Sequence, residues 1–231
     1  MAVPEEAPEG VEVSRETATP VDAPEPERGS ADLREFFGPA YGRVEVFHDM
    51  LVAQGELRGL IGPRELPRLW SRHLLNSGAV VPFLPTSGTV VDLGSGAGLP
   101  GIVVAAMLPD VNVVLVEPME RRCAWLTEVA EELELGNVDV RRGRAEEFHG
   151  AFEADAVTAR AVAALDKLAR WSFPLLRKGG VLVALKGRSA AGEIESATKV
   201  LRKYGANAEV VPAPTIAAVE PTTVVRAVRT K

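Results

Sequence analysis

The residues best suited to chemistry lie in one short stretch, Val90 to Gly101. An apolar run ends there in an acid, Asp92, and a second apolar run begins at Ile102. Four glycines punctuate the stretch: Gly94, Gly96, Gly98 and Gly101. Because glycine tolerates positive φ and has no Cβ, a ligand can lie against the main chain of such a turn, with a helix N-terminus directed at it. The stretch therefore predicts a small-molecule cradle of Rossmann type.

Two acids help to define the ligand of this cradle. Glu117 ends the next predicted strand, where a carboxylate can accept hydrogen bonds from both hydroxyls of an adenosine ribose. NAD and S-adenosylmethionine share that ribose, and the spacing Gly96-x-Gly98-x-x-Gly101 also fits the dinucleotide pattern. Asp92 would repel a pyrophosphate, whereas it suits the ammonium and sulfonium of S-adenosylmethionine, directly or through water. We therefore expect S-adenosylmethionine as the cofactor.

Basic side chains near other predicted strand ends are candidates for contacts with an anionic partner. Arg160 ends the fourth strand and is predicted to act in catalysis and cofactor binding, with a structural ion pair or a contact to an anionic substrate as alternatives. Lys186 and Arg188 follow the fifth strand and could hold RNA phosphates, or be ordinary surface charges. Arg72 and His73 lie on a predicted helix that could face RNA, or be an ordinary helix face. Together they predict a basic rim around the site.

Alternating apolar strands and amphipathic helices position these residues. Strand–helix alternation indicates a mostly parallel, seven-stranded α/β sheet with helices on both faces. The last two strands have no helix between them, which predicts an antiparallel hairpin at the sheet edge. In such sheets ligands bind at the carboxyl ends of the strands. Strands are predicted at 89–93, 112–117, 138–141, 155–159, 180–186, 207–212 and 222–229, and helices at 98–108, 119–135, 165–177 and 190–204.

Composition divides the chain into three parts. Residues 1–30 are rich in Pro, Glu, Ala and Thr, and their eight acids against two arginines account for the full net charge of −6. This part lacks aromatic residues and is predicted to be a disordered acidic tail. Apolar residues at three- and four-residue steps predict a helical cap with basic outer faces over residues 31–85. Residues 86–231 form the predicted ligand-binding domain.

Composition also bears on where the protein acts. No apolar run reaches the roughly 18 residues that a transmembrane helix needs. The acidic N-terminus lacks the basic-then-apolar pattern of a secretion signal, and the single cysteine, Cys123, allows no internal disulfide. We therefore expect a cytoplasmic protein without membrane association, and a monomer.

Several short segments together carry a resemblance to a known family. Over residues 35–231 the chain resembles the RsmG family, also called GidB, of bacterial 16S rRNA guanine-N7 methyltransferases. It departs from the family at Leu51–Ile61, where a Trp-Asn-x-x-x-Asn-Leu-Thr-like segment is usual. The matching segments are Arg72-His-Leu-Leu-Asn-Ser77, Asp92-Leu-Gly-Ser-Gly-Ala-Gly-Leu-Pro-Gly101, Arg144-Ala-Glu-Glu-Phe148, Ala159-Arg-Ala161 and Ala184-Leu-Lys-Gly187.

The resemblance implies a Rossmann-like, class I methyltransferase fold and a guanine in the 530 loop of 16S rRNA as the substrate. It implies that the cofactor lies against Gly94 and Leu99, with Ala145 and Glu146 near the adenine and Arg160 at the site. The partner would be 16S rRNA or the small ribosomal subunit, free, in an assembly intermediate or finished. Because guanine N7 has a lone pair and no proton, its methylation needs alignment and a water-poor site rather than a general base.

Two other functions fit the same residues. One is a methyltransferase of this fold that acts on a small molecule or on another RNA. The other is a non-catalytic ligand-binding or ribosome-assembly factor that retains the cradle. The sequence does not identify an aromatic side chain that would stack on the guanine, since its few aromatic residues fit core positions better.

Overall fold

The computed structural model describes residues 25–231, and residues 1–24 of the predicted tail lie outside the described part. Its sheet has the spatial order β3-β2-β1-β4-β5-β7-β6. The first five strands are mutually parallel, and β7 runs antiparallel between β5 and β6, which confirms the predicted fold class. The strands are β1 (Gly88–Leu93), β2 (Val111–Glu117), β3 (Val138–Arg142), β4 (Ala154–Arg160), β5 (Leu176–Lys186), β6 (Asn207–Ala213) and β7 (Thr222–Val228).

Valine-rich strands form the dry centre of the sheet. In β1 and β2 neighbouring residues such as Val90 and Val91 are both buried, although they point to opposite faces. Continuous burial of this kind is typical of parallel strands that carry helices on both faces. The buried polar exceptions, Asp92, Glu117 and Thr158, lie at or near the carboxyl ends of their strands. The sheet therefore places its polar groups where ligands of such folds bind.

The helices cover both faces of the sheet. The last turn predicted for α6 is absent because β5 starts at Leu176, four residues before the predicted 180. β5 runs through Gly179 and Gly180, and its pairing with β4 shifts register between Ala154 and Ala156. The helices are α1 (Ala31–Phe37), α2 (Tyr41–Gln54), α3 (Leu75–Gly78), α4 (Gly101–Met107), α5 (Glu120–Glu132), α6 (Leu165–Ser172) and α7 (Ala190–Lys203).

The N-terminal helical region shares a hydrophobic core with one face of the sheet. Phe47 of α2 and Trp70 are buried in the same cluster as Val90 of β1 and Leu115 of β2. Trp70 belongs to a π-helical segment, Leu69–Leu74, that leads into α3. Segments of this kind are short and frequent at functional sites. The shared core holds this segment against the sheet end that carries the cradle.

Residues 25–30, which were assigned to the disordered tail, contact the helices. The Glu25 carboxylate accepts hydrogen bonds from the backbone N–H groups of Trp70 (2.6 Å) and Ser71 (3.1 Å). Arg28 forms ion pairs with Glu45 (3.0 Å) and Asp49 (2.8 Å). The part of the predicted tail that the structure describes, residues 25–30, therefore has charged side chains with partners on the helices.

Two findings concern the described chain as a whole. None of the helices within residues 25–231 combines the length and the apolar character that a membrane crossing requires. Over the same residues, no three side chains of His, Cys, Asp or Glu form a group that could hold a metal ion.

Candidate functional site

A cavity of about 510 Å³ opens at the carboxyl ends of β1, β2 and β4. Volumes of this size are typical of sites for small molecules and cofactors. Its wall combines the turn after β1, the loop after β2, the segment 143–146 and the end of β4. The structure thus brings together seven of the predicted site residues: Gly94, Gly96, Leu99, Glu117, Ala145, Glu146 and Arg160.

The glycines Gly94, Gly96 and Gly98 of the turn differ in what surrounds them. All three have positive φ: 69° at Gly94, 55° at Gly96 and 102° at Gly98. A Cβ on Gly98 would lie 2.8 Å from Ile102 Cγ1 and 3.1 Å from Phe47 Cζ, so this glycine lets α2 pack against the turn. It is outside the cavity wall, unlike the prediction. At Gly96 an added Cβ would meet only the Gly94 carbonyl oxygen, at 3.6 Å, so this part of the main chain is open to a ligand.

Glu117 fixes the wall opposite the turn. Its carboxylate is buried, with 2% of the residue exposed, and accepts hydrogen bonds from the backbone N–H groups of Gly96 (3.0 Å) and Met119 (3.0 Å). Each carboxylate oxygen has further lone pairs, so the group can also accept from ligand hydroxyls. The residue therefore shapes the turn and presents an acceptor to the cavity.

Asp92 lies behind the turn and is not part of the cavity wall, so its predicted interaction with the cofactor, directly or through water, stays a prediction. Its Oδ2 accepts a hydrogen bond from the backbone N–H of Gly101 (3.0 Å), so it anchors the start of α4. Burial raises the pKa of Asp92 to about 7, against the effect of the Gly101 hydrogen bond. Its Oδ1 has no hydrogen bond with any residue from 25 to 231. A cation in front of the turn would favour the ionised carboxylate.

Arg160 reaches from the end of β4 to the N-terminal region. Its Nη1 lies 2.7 Å from Nδ1 of His73, and His73 Nε2 lies 2.8 Å from Oε2 of Glu65. His73 is buried, with 9% of the residue exposed, and both ring nitrogens have partners. The ring is turned inward to Arg160, and a direct contact of His73 with RNA stays a prediction. Burial lowers the pKa of His73 to about 4, and the nearby charge of Arg160 acts in the same direction.

The other predicted RNA-binding residues differ in exposure and in their partners within the protein. Lys186 Nζ donates to the Ala163 carbonyl oxygen (2.5 Å) and pairs with Glu193 Oε2 (2.8 Å), and its side chain is only 9% exposed. It links β5 to α7, and its contact with RNA stays a prediction. Arg188 is exposed and makes no ion pair or side-chain hydrogen bond with any residue between 25 and 231. Arg72 is half-buried, with its Nε 3.7 Å from Glu65 Oε2.

The cavity wall includes residues that the sequence analysis missed. Trp171 of α6 is the one aromatic side chain among its described lining residues, and Lys167 Nζ lies 4.9 Å from the centre of its ring. Arg122, Leu60 and Met119 also line the wall. The sequence analysis includes Trp171 only within the predicted helix 165–177 and Leu60 only within the predicted helical cap. Their place at the site depends on how α6 and the N-terminal region pack, which no local pattern shows.

Fold and site together define a Rossmann-like methyltransferase. The model of the GidB family, described as rRNA small subunit methyltransferase G, matches residues 41–218. The chain belongs to this family. The predicted enzyme class and its cofactor, S-adenosylmethionine, are confirmed by this membership.

Individual proteins support the same assignment. The chain is 53% identical over 171 residues to the ribosomal RNA small subunit methyltransferase G of Beutenbergia cavernae, covering 74% of this chain and 81% of the relative. It is 51% identical over 217 residues to the protein of that name from Salinispora arenicola, covering 91% and 90%. Precorrin-6y C5,15-methyltransferase from Geobacter metallireducens shares the fold at 15% identity, with a TM-score of 0.53 over 74% of this chain and 91% of that structure.

Proposed function

We propose that this protein methylates N7 of a guanine in the 530 loop of 16S rRNA. One observation carries the proposal. The residues that the family resemblance placed at the cofactor, from Gly94 to Arg160, converge on one cavity although they come from three separate segments. The relatives are named as methyltransferases of the small ribosomal subunit RNA, which supports the same class of substrate.

The cavity fits S-adenosylmethionine. The open main chain at Gly96 can lie against the methionine part, and Glu117 can accept from the ribose hydroxyls. Ala145 and Glu146 form the far wall and fit the adenine. The buried Asp92 carboxyl, behind the turn, suits a cationic ligand. When bound, the cofactor supplies a methyl group on a positively charged sulfonium.

The chain's own residues need only align and shield the reacting atoms. Guanine N7 has no proton to lose, so no general base is required, and the rate depends on orientation and exclusion of water. We assign Arg160 to this task because its guanidinium is held at the cavity wall, where it can bind the cofactor carboxylate or the edge of the guanine.

An anionic RNA partner is supported by basic side chains around the site. Arg144 lines the cavity and is exposed, and Arg188 is exposed near the end of β5. Both can contact phosphates. We further propose that residues 31–85 form an RNA-facing helical cap on a methyltransferase domain at 86–231. The protein acts as a cytoplasmic monomer in this proposal. Its substrate is 16S rRNA or the small subunit, including assembly intermediates.

Mass mapping of 16S rRNA from cells with and without the gene tests the proposal. We expect one N7-methylguanine in the 530 loop to disappear on deletion and to return with the wild-type gene. Arg160→Ala should not restore it, because loss of a preorganised polar group at a reacting centre costs on the order of a hundredfold in rate. Intact methylation in the deletion strain would refute the proposal.

Transfer of a labelled methyl group in vitro separates the remaining functions. Purified small subunits from the deletion strain should accept label at the 530 loop. Label in a metabolite or another RNA would favour a different substrate, and cofactor binding without turnover would favour an assembly factor.

A further inference from the structure

We propose that His73 is a positioning residue, which orients Arg160 at the cavity wall through a hydrogen-bonded chain that starts at Glu65. The proposal rests on the proposed function, since it takes Arg160 as a working group of the methyl-transfer site. It adds a polar contribution of the N-terminal region to a site to which that region otherwise contributes the apolar Leu60.

Hydrogen-bond chemistry defines the direction of the chain. A guanidinium can only donate, so Nδ1 of His73 must be the acceptor of the 2.7 Å contact with Arg160. The ring proton then resides on Nε2, which donates to the Glu65 carboxylate at 2.8 Å. The tautomer follows from this network of partners. Glu65 thus selects the form of His73 that accepts from Arg160.

Packing gives the chain its rigidity. His73 is buried on the segment Leu69–Leu74, where its neighbours Trp70 and Leu74 belong to the shared core. Glu65 is held in turn by Arg68, whose Nη2 lies 2.6 Å away. A long arginine side chain has several free torsions, and fixing them before the ligand binds removes an entropic cost.

The geometry also explains why a protonated His73 ring could not accept the hydrogen bond from Arg160. Protonation would place an N–H on Nδ1 directly against the Arg160 N–H groups, so that two cations would face each other. The charged groups near His73 are Arg160, Arg72 and Glu65. Burial and the arginines keep the ring neutral, consistent with its low pKa.

A comparison of His73→Leu, His73→Asn and Arg160→Ala tests the proposal. Leucine removes the acceptor, and we expect methyl transfer to small subunits to fall roughly tenfold to hundredfold, the scale of one hydrogen bond to a charged group. The Asn oxygen lies near the position of Nδ1 and should restore most of that loss. In the double variant His73→Leu/Arg160→Ala the rate should equal that of Arg160→Ala alone.

Structural damage is separated from positioning by a matched control. Asn76→Ala removes a side-chain hydrogen bond to the Arg72 carbonyl from the same stretch of helix, without touching Arg160. It should lower the melting temperature without changing the rate constant. A loss in His73→Leu that multiplies with that of Arg160→Ala, or that Asn does not rescue, would overturn the proposal.

A readout without turnover keeps the test independent of the substrate. The chain has three histidines, so their side-chain ¹⁵N resonances can be assigned. His73 should show an unprotonated, hydrogen-bonded Nδ1, and that resonance should move in Arg160→Ala and not in Asn76→Ala. If wild-type protein methylates no subunit, the proposed function fails, whereas an Nδ1 that carries the proton contradicts the His73 chain itself.

Discussion

The cavity has two walls that are held in different ways. On the side of β1 and β2, the main chain forms the wall, and two buried carboxylates, Asp92 and Glu117, fix it through backbone N–H groups. On the side of β4, a side chain forms the wall, and Arg160 is fixed by His73 from 87 positions away. The first wall is short-range in sequence and sterically tight, whereas the second depends on packing between distant parts of the chain.

The difference separates residues that fix the shape of the cavity from residues that can be substituted with little effect on the fold. A turn in which Gly98 and Gly101 lie against neighbouring atoms cannot change at those positions without disturbing the core beneath it. The guanidinium of Arg160, which contacts a neutral imidazole, can be altered at the site with less effect on the fold. Substitutions on the first wall should therefore lower stability and activity together, and substitutions on the second should separate them.

The largest effect is expected for Gly101→Val. A Cβ at Gly101 would overlap Leu115 and lie 2.6 Å from Asp92 Oδ2, and both neighbours are buried. Overpacking of this kind costs about 3 kcal/mol or more of the free energy of unfolding. Urea titration should show this loss, and cofactor affinity should fall with it. Gly136→Val, where an added Cβ meets nothing within 4 Å, is the control. If the stability of Gly101→Val were unchanged, the idea that substitutions on the first wall lower stability and activity together would be wrong.

The first wall was also the part that the sequence could predict. Gly94, Leu99 and Glu117 are adjacent to strands with clear apolar patterns, so their convergence followed from the parallel sheet. The sequence could not show that the Asp92 side chain lies behind the glycine turn, that the His73 ring points inward or that Lys186 pairs with Glu193. The orientation of His73 depends on Arg160, 87 positions away, whereas Asp92 and Lys186 have partners within nine positions. In each case the direction of the side chain depends on tertiary packing, and a charged residue has the same local sequence pattern whether it points inward or outward.

A second prediction compares one titrating group from each wall. The pKa of Asp92 is raised from 3.8 to about 7, so its contribution to stability is present below pH 4 and is lost as the pH rises toward 7. The pKa of His73 is lowered from 6.5 to about 4, so its contribution is present above pH 6.5 and is lost as the pH falls toward 4. The shift corresponds to about 4 kcal/mol for Asp92 and to about 3 kcal/mol for His73, and the two contributions change with pH in opposite directions.

Single substitutions should reveal the two opposing slopes. Between pH 4 and 6.5, Asp92→Asn should make the free energy of unfolding rise more steeply with pH than in wild type. Over the same range His73→Asn should make it rise less steeply or fall. Other carboxylates with lowered pKa, such as Asp155, are common to all three proteins and cancel in the difference. Parallel curves for the three proteins would show that neither group titrates as its burial requires.

The smallest effect is expected at the end of β5, where Lys186 and Arg188 differ by two positions and were predicted to act alike. Arg188→Ala should raise the KM for small subunits about threefold, flatten its salt dependence by about one phosphate contact and leave stability unchanged, because the side chain is exposed. Lys186→Met should instead lower the free energy of unfolding by about 2 kcal/mol, because Glu193 loses its partner beside Leu165. If Lys186→Met instead raised KM as much as Arg188→Ala and left stability unchanged, Lys186 would have to release Glu193 and bind RNA. Both side chains at this end of β5 would then be RNA contacts that can be altered without loss of stability.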